Sequence, residues 1–170
     1  MNHIAEVKPE QLVVLPPRRV QALCARPYRG HPRGCPNYGR RKGCPPKVKS
    51  LGVQQGRMWL VWNVYDLQAH EERARKRHPD WTKAQCRNSR HWQGKARAQL
   101  RRLVLEFLSV DEHRRRWATV LYVPEAHGLD VTATMANVAP KEKLEWPPEG
   151  RAYQVALVIL PKGLSRATML

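Results

Sequence analysis

A chain of 170 residues with six Trp, five Tyr and 42% hydrophobic residues can bury a core of its own, which excludes a disordered basic tail. Its formal charge of +17 makes an anionic partner the expectation, RNA, DNA, a phosphorylated cofactor or an acidic redox protein, without choosing among them. Residues 1–30 hold no apolar signal-peptide core and no run approaches the roughly eighteen apolar residues of a membrane helix, so a cytoplasmic protein with reduced thiols and no membrane partner is expected.

Residues 1–23 read as an N-terminal leader segment: a helical turn or short strand near 11–15, the Pro16-Pro17 pair, then a short helix over 18–23. Residues 24–57 are crowded with glycine and proline and cannot hold regular structure for long. A loop of that length inside a domain is functional or held by a ligand. Residues 58–65 (MWLVWNVY), aromatic and β-branched, predict a strand. Residues 68–78 predict a charged helix ended by Pro79. One long helix is predicted over 81–108, where Trp81, Gln85, Asn88, Trp92, Ala96, Gln99, Leu103 and Phe107 share a face at the helical period. A second strand is predicted over 116–123 (RWATVLYV), mixed helix and loop over 125–138, and a short strand over 143–146. Residues 153–160 (YQVALVIL) are apolar on both faces and predict a central strand. The order predicts an α+β fold: one compact domain, with a small mixed sheet packed with a long helix in residues 58–170 and an irregular Cys/Gly/Pro loop before it.

That loop is the chemically specific part. It runs Cys24-ARPYRGHPRG-Cys35-PNYGRRKG-Cys44-PP, three thiols in a cysteine-rich metal-binding loop that cannot pack by itself. A metal supplies the missing ordering energy, because binding at such a site is coupled to folding. Glycines let the backbone wrap closely around a centre, and prolines reduce the entropy lost when it does. Cys-Pro occurs at Cys35-Pro36 and Cys44-Pro45, a dipeptide shared with ferredoxin-type cluster loops. There is no Cys-x-x-Cys knuckle of the kind structural zinc sites use, and intervals of ten and eight residues suit a larger centre. The spacing therefore favours an iron–sulfur cluster, of the 4Fe–4S kind, over zinc, which stays open as the alternative. Candidates for a fourth ligand are Cys86 and His31; a three-cysteine centre with one open metal position is the other possibility. The competing reading is three ordinary reduced cysteines, against which stands their density in a loop that is not a core.

The segment CPNYGRRKGCPP (35–46) resembles the signature of an uncharacterised family of predicted metal-binding proteins of unknown function, with a Cys, then Cys-x-x-Tyr-Gly, then Cys-Pro-Pro. HPDWTKAQCRNSRHWQ (78–93), PEAHGLDVTATM (124–135) and LEWPP (144–148) are similar to further segments of related sequences, so the likeness spans most of residues 24–160. The resemblance implies a metal centre on Cys24, Cys35 and Cys44, and no known reaction. Larger members carry a further cysteine group before the Pro-Glu-Ala segment. Here that stretch is RRWATVLYV (115–123), so a two-cluster electron relay is not expected.

Between Glu10 and Asp66 there is no acidic residue and there are eleven Lys and Arg, among them Arg29, Arg33, Arg40, Arg41 and Lys42. A second basic row, Lys83, Arg87, Arg90, Arg97 and Arg101, falls opposite the predicted tryptophan stripe. The positive charge either stabilises a net-negative thiolate cluster, or forms a groove for phosphates in which Tyr28 and Tyr38 stack on bases, or is a solvated face. Tyr38, Asn88, Trp92, Glu125 and His127 are candidate pocket residues, with Glu125 and His127 as an acid–base pair. His70, Glu71 and Glu72 make no metal motif, and Thr132 and Thr134 lack a glycine-rich phosphate cradle. There is no Walker loop, dinucleotide fingerprint, nucleophile elbow or radical-enzyme cysteine run. The expected function is electron transfer or redox sensing by the cluster. The alternatives are an open-iron enzyme acting on RNA or a sulfur-containing substrate, and a zinc-stabilised nucleic-acid-binding module.

Overall fold

The computed structural model describes residues 3–27, 31–52, 56–145 and 148–162. Its centre is a pair of eleven-residue strands, β2 (Gly56–Asp66) and β4 (Arg151–Pro161), paired antiparallel along their whole length from Gly56 opposite Pro161 to Asp66 opposite Arg151. Both strands are nearly continuous apolar runs because both faces of the sheet are covered. Met58, Leu60, Trp62, Leu157 and Ile159 face Leu129, Val131 and Met135, the last two on α6 (Val131–Val138). Trp59, Val61, Ala156, Val158 and Leu160 face Leu100, Val104 and Phe107 of α4 (Ser89–Ser109). The fold is α+β, as expected, with 153–160 inside a central strand.

The sheet has four strands in the order β1-β2-β4-β3 and is antiparallel throughout, not mixed. The cause is visible at the Asp66 end. The chain leaves β2 into α2 (Leu67–Arg77) and returns to β4 at the same end, where the Leu67 N–H donates to the Gly150 carbonyl at 3.0 Å. Part of residues 3–23 joins this sheet. β1 (Ile4–Val7) is an edge strand whose Glu6 accepts two hydrogen bonds from Arg57 at 2.8 Å. A strand of four residues with one charged position carries too little periodicity to be seen in sequence.

The expected long helix is broken. α3 (Lys83–Cys86) opens with a reciprocal cap between Thr82 and Gln85, and α4 starts afresh where the Asn88 side chain accepts the Arg90 N–H at 3.0 Å. The break resets the helical phase, so the buried stripe is Trp92, Ala96, Leu100, Val104 and Phe107 rather than one running from Trp81. The strand expected at 116–123 contracts to β3 (Thr119–Leu121), because Asp111 caps a short helix, α5 (Glu112–Trp117), ahead of it. No strand forms over 143–145, and Trp146 lies outside the described residues.

Where α2 meets α3, His70 is buried, with its Nδ1 at 3.2 Å from the Tyr65 hydroxyl, and Tyr65 stacks on Trp92 at 5.7 Å. Burial pushes the His70 pKa below the ordinary imidazole value; Arg73, Lys95 and His91 act in the same direction and the Cys86 carbonyl against it. An imidazole with a lowered native pKa favours folding above its unfolded value of about 6.5 and loses that contribution as the pH falls from there through the native value. Urea midpoints measured against pH should therefore drop on acidification below about pH 6.5, with up to about 1.4 kcal/mol per pH unit due to this group. The drop should be shallower in His70→Gln.

Candidate metal centre

Helix α1 (Pro17–Ala25) begins at a proline, whose fixed φ suits the first helical position, and ends where Arg26 turns extended before Pro27. Cys24 therefore stands in its last turn. The chain then folds back on this end: the Cys35 N–H donates to the Cys24 carbonyl at 2.7 Å. Gly34 makes the return possible. Its φ is +78°, and a Cβ there would lie 2.6 Å from the Cys24 oxygen and 2.7 Å from the Ala25 carbonyl carbon. Gly34→Ala combines a left-handed backbone with a backbone collision, so it should destabilise the protein by about 2 kcal/mol or more. By contrast, Gly94→Ala, with nothing within 4 Å of the new methyl on α4, should be neutral or stabilising by up to about 1 kcal/mol. Thermal unfolding of the two variants checks both signs.

From Cys35 to Lys47 the backbone runs in consecutive turns. The Tyr38 N–H donates to the Cys35 carbonyl (3.1 Å), Cys44 N–H to Arg41 (3.1 Å), Lys47 N–H to Cys44 (3.0 Å) and Gly39 N–H to Pro45 (2.9 Å). The loop is fastened to the body by buried Leu51, whose N–H donates to the His127 carbonyl at 2.6 Å, and by the His127 ring, whose Nδ1 lies 2.9 Å from the Lys49 carbonyl oxygen. Pro45, Pro46 and Val48 line a small crevice with Val20 of α1 and Ala126. The Cys-Pro-Pro and Pro-Glu-Ala-His-Gly segments, some eighty residues apart in sequence, are thus one packed unit. Gly128 completes it with φ +99°, its carbonyl accepting the Leu15 N–H at 2.7 Å.

Cys24, Cys35 and Cys44 are all half-buried and all free thiols. Both Cys35 and Cys44 lie close enough to Cys24 to act on its charge: burial pushes the Cys24 pKa up, and Cys35 and then Cys44 push it further. Among the described residues, no three His, Cys, Asp or Glu side chains are placed as a finished metal-holding group. The thiols are gathered but not converged.

Cys86 is not with them. It is wholly buried at the end of α3, its Sγ 4.0 Å from the Trp81 carbonyl and its own carbonyl toward His70, and it packs as a core residue. His31 lies in the loop, where its carbonyl accepts the Gly34 N–H at 3.0 Å. Four cysteines do not make the chain as a whole cysteine-rich; the density is confined to residues 24–44.

The basic row divides. Arg33, Arg40, Arg41 and Lys42 are exposed on the loop, and Lys83, Arg90, Arg97 and Arg101 on α3 and α4. Arg87 is withdrawn into a 2.6 Å ion pair with Glu71, which also holds Arg75 at 2.8 Å. Tyr28 and Arg29 lie outside the described residues. The candidate pocket does not assemble: Asn88 is a helix cap, Trp92 is buried and donates its Nε1–H to the Arg87 carbonyl at 3.2 Å, and the His127 ring serves Lys49 rather than Glu125. Glu72 and Thr132 are exposed, and buried Thr134 accepts the Val13 N–H at 3.0 Å. Sequence reasoning missed Gly34 and Leu51; Gly39 shares Gly34's positive φ, and what sets Gly34 apart is its close approach to the Cys24 and Ala25 carbonyls, which no residue type announces, while Leu51 is one of several apolar residues in the loop.

Compared with protein-family models, with curated proteins and with solved structures, the chain gives no significant match.

Proposed function

We propose that Cys24, Cys35 and Cys44 are the protein ligands of one metal centre, that this centre is an iron–sulfur cluster, and that the protein transfers electrons or senses redox state in the cytoplasm. The observation that carries the reading is the return of the loop onto the end of α1, which bonds the Cys35 N–H to the Cys24 carbonyl at 2.7 Å and brings Cys35 and Cys44 within electrostatic range of Cys24. An all-thiolate donor set suits iron–sulfur clusters and zinc and is a poor one for hard cations. With Cys86 in the core, the set is three cysteines, which leaves a position for His31 or an outside ligand. Binding draws off the protons of the thiols, that of Cys24 against a pKa raised by burial and by its neighbouring thiols. Exposed Arg33, Arg40, Arg41 and Lys42 offset the negative charge that thiolate ligation leaves. When bound, such a cluster supplies reversible one-electron storage. The resemblance to the uncharacterised metal-binding family belongs to the same proposal. No helix among the described residues is long and apolar enough to cross a membrane.

Anaerobically purified or reconstituted protein should be brown, should bleach with dithionite and should recover its colour on reoxidation. A metal-loaded protein without redox-active absorption contradicts the proposed function and leaves a structural thiolate site.

A further inference from the structure

Large aromatic side chains are costly to leave in water, and three of the described tryptophans, Trp59, Trp62 and Trp92, are at most 6% exposed. Trp117 is 36% exposed and Tyr122 38%. These two rings stand at either end of β3, which among the described residues is an edge strand paired with β4. Each lies beside a guanidinium: Arg116 is 5.2 Å from the Trp117 ring centre and Arg101, reaching from α4, is 5.9 Å from that of Tyr122. Arg97 sits one turn before Arg101 on the same side of α4. Arg97, Arg101 and Arg116 make no ion pair among the described residues, Arg97 lying only within electrostatic range of Glu125, whereas the acidic Glu106 and Asp111 are engaged by Arg102 and Arg114.

We infer that the face made by α4, the end of α5 and β3 binds single-stranded nucleic acid, with Trp117 and Tyr122 stacking on bases and Arg97, Arg101 and Arg116 on phosphates. Unpaired bases present a π-face to an exposed ring whatever their sequence, and a flanking guanidinium adds a cation–π contribution while reaching the backbone. A duplex hides those faces, and an acidic protein needs the charge but not the rings. The net charge of +17 attracts the polyanion from a distance. The inference is independent of the three cysteines and of the metal reading. It also moves the stacking role away from Tyr38, which is half-buried in the loop.

The test is fluorescence anisotropy of labelled single-stranded oligouridylate with the full chain, beside a duplex of equal length and polyglutamate. Trp117→Ala and Tyr122→Ala should each weaken oligouridylate binding by about tenfold while changing duplex binding little. Trp117→Phe should restore most of the loss. The double variant Arg97→Gln with Arg101→Gln reads the phosphate contacts separately, lowering the slope of log affinity against log salt by about 1.4. Circular dichroism confirms that each variant is folded, and the charge variant stands in for an aromatic variant that is not. Wild-type affinity in both folded aromatic variants overturns the inference. So does binding of the duplex or of polyglutamate as tight as that of the single strand.

Discussion

If the proposed three-cysteine centre is right, Cys35→Ser is expected to abolish metal binding. Cys35 is the middle of the three thiols and the one whose N–H is bonded to the Cys24 carbonyl, so it fixes the distance between the end of α1 and the loop. A hydroxyl at this position is a far weaker ligand than a thiolate for a soft centre. Loss of residues that merely orient a ligand lowers metal affinity about 10- to 100-fold, so loss of a ligand should exceed about 100-fold. Metal analysis after gel filtration should find the variant empty, together with Cys24→Ser and Cys44→Ser. Cys86→Ala, whose side chain is wholly buried against Trp81, should keep the wild-type metal content. Equal loss in all four variants contradicts the three-cysteine assignment.

Leu157→Ala should be the most damaging change to the fold itself. Leu157 is fully buried on β4, opposite Leu60 on one side and Leu121 on the other, and it belongs to the face closed by Leu129 and Met135. Removing a buried leucine side chain costs about 2–5 kcal/mol, because the cavity closes only in part. For a chain of this size each kcal/mol lowers Tm by about 2–4 °C. Val110→Ala, at a position 82% exposed, should shift stability by no more than about 0.5 kcal/mol. Calorimetry on the pair measures how far the two central strands carry the domain.

The parts of this fold legible in the sequence were those written in a dense, repeated signal. Residues 58–65 and 153–160 are long apolar runs, and they became the two central strands. The elements that were not legible depend on one or two residues. A single Asn88 side chain divides what periodicity reads as one helix, and a single Asp111 side chain starts α5, which takes Arg116 and Trp117 from the expected strand. Strand β1 gains its place from pairing with β2 and from burying Val7 in the core, neither of which a local pattern announces.

The candidate site shows the same division. Cysteine spacing drew attention to residues 24–44, but not to the glycine whose backbone angle lets Cys24 and Cys35 meet, nor to the contact between His127 and Lys49 that ties the loop to a distant segment. Charge counting gave Arg87 the same weight as Arg97. The structure separates them, because Glu71 holds the first in an ion pair, whereas the second makes no ion pair among the described residues and is only within electrostatic range of Glu125. Cys86 was a candidate ligand by residue type alone; its burial beneath Trp81 is a property of packing.

The measurement that bears most directly on the central claim is iron, zinc and acid-labile sulfide per chain in protein purified without oxygen, with Cys35→Ser beside the wild type. The account predicts iron and sulfide in comparable amounts in the wild type and neither in the variant. Wild-type protein that holds no metal, or whose metal content is the same in Cys35→Ser, contradicts it.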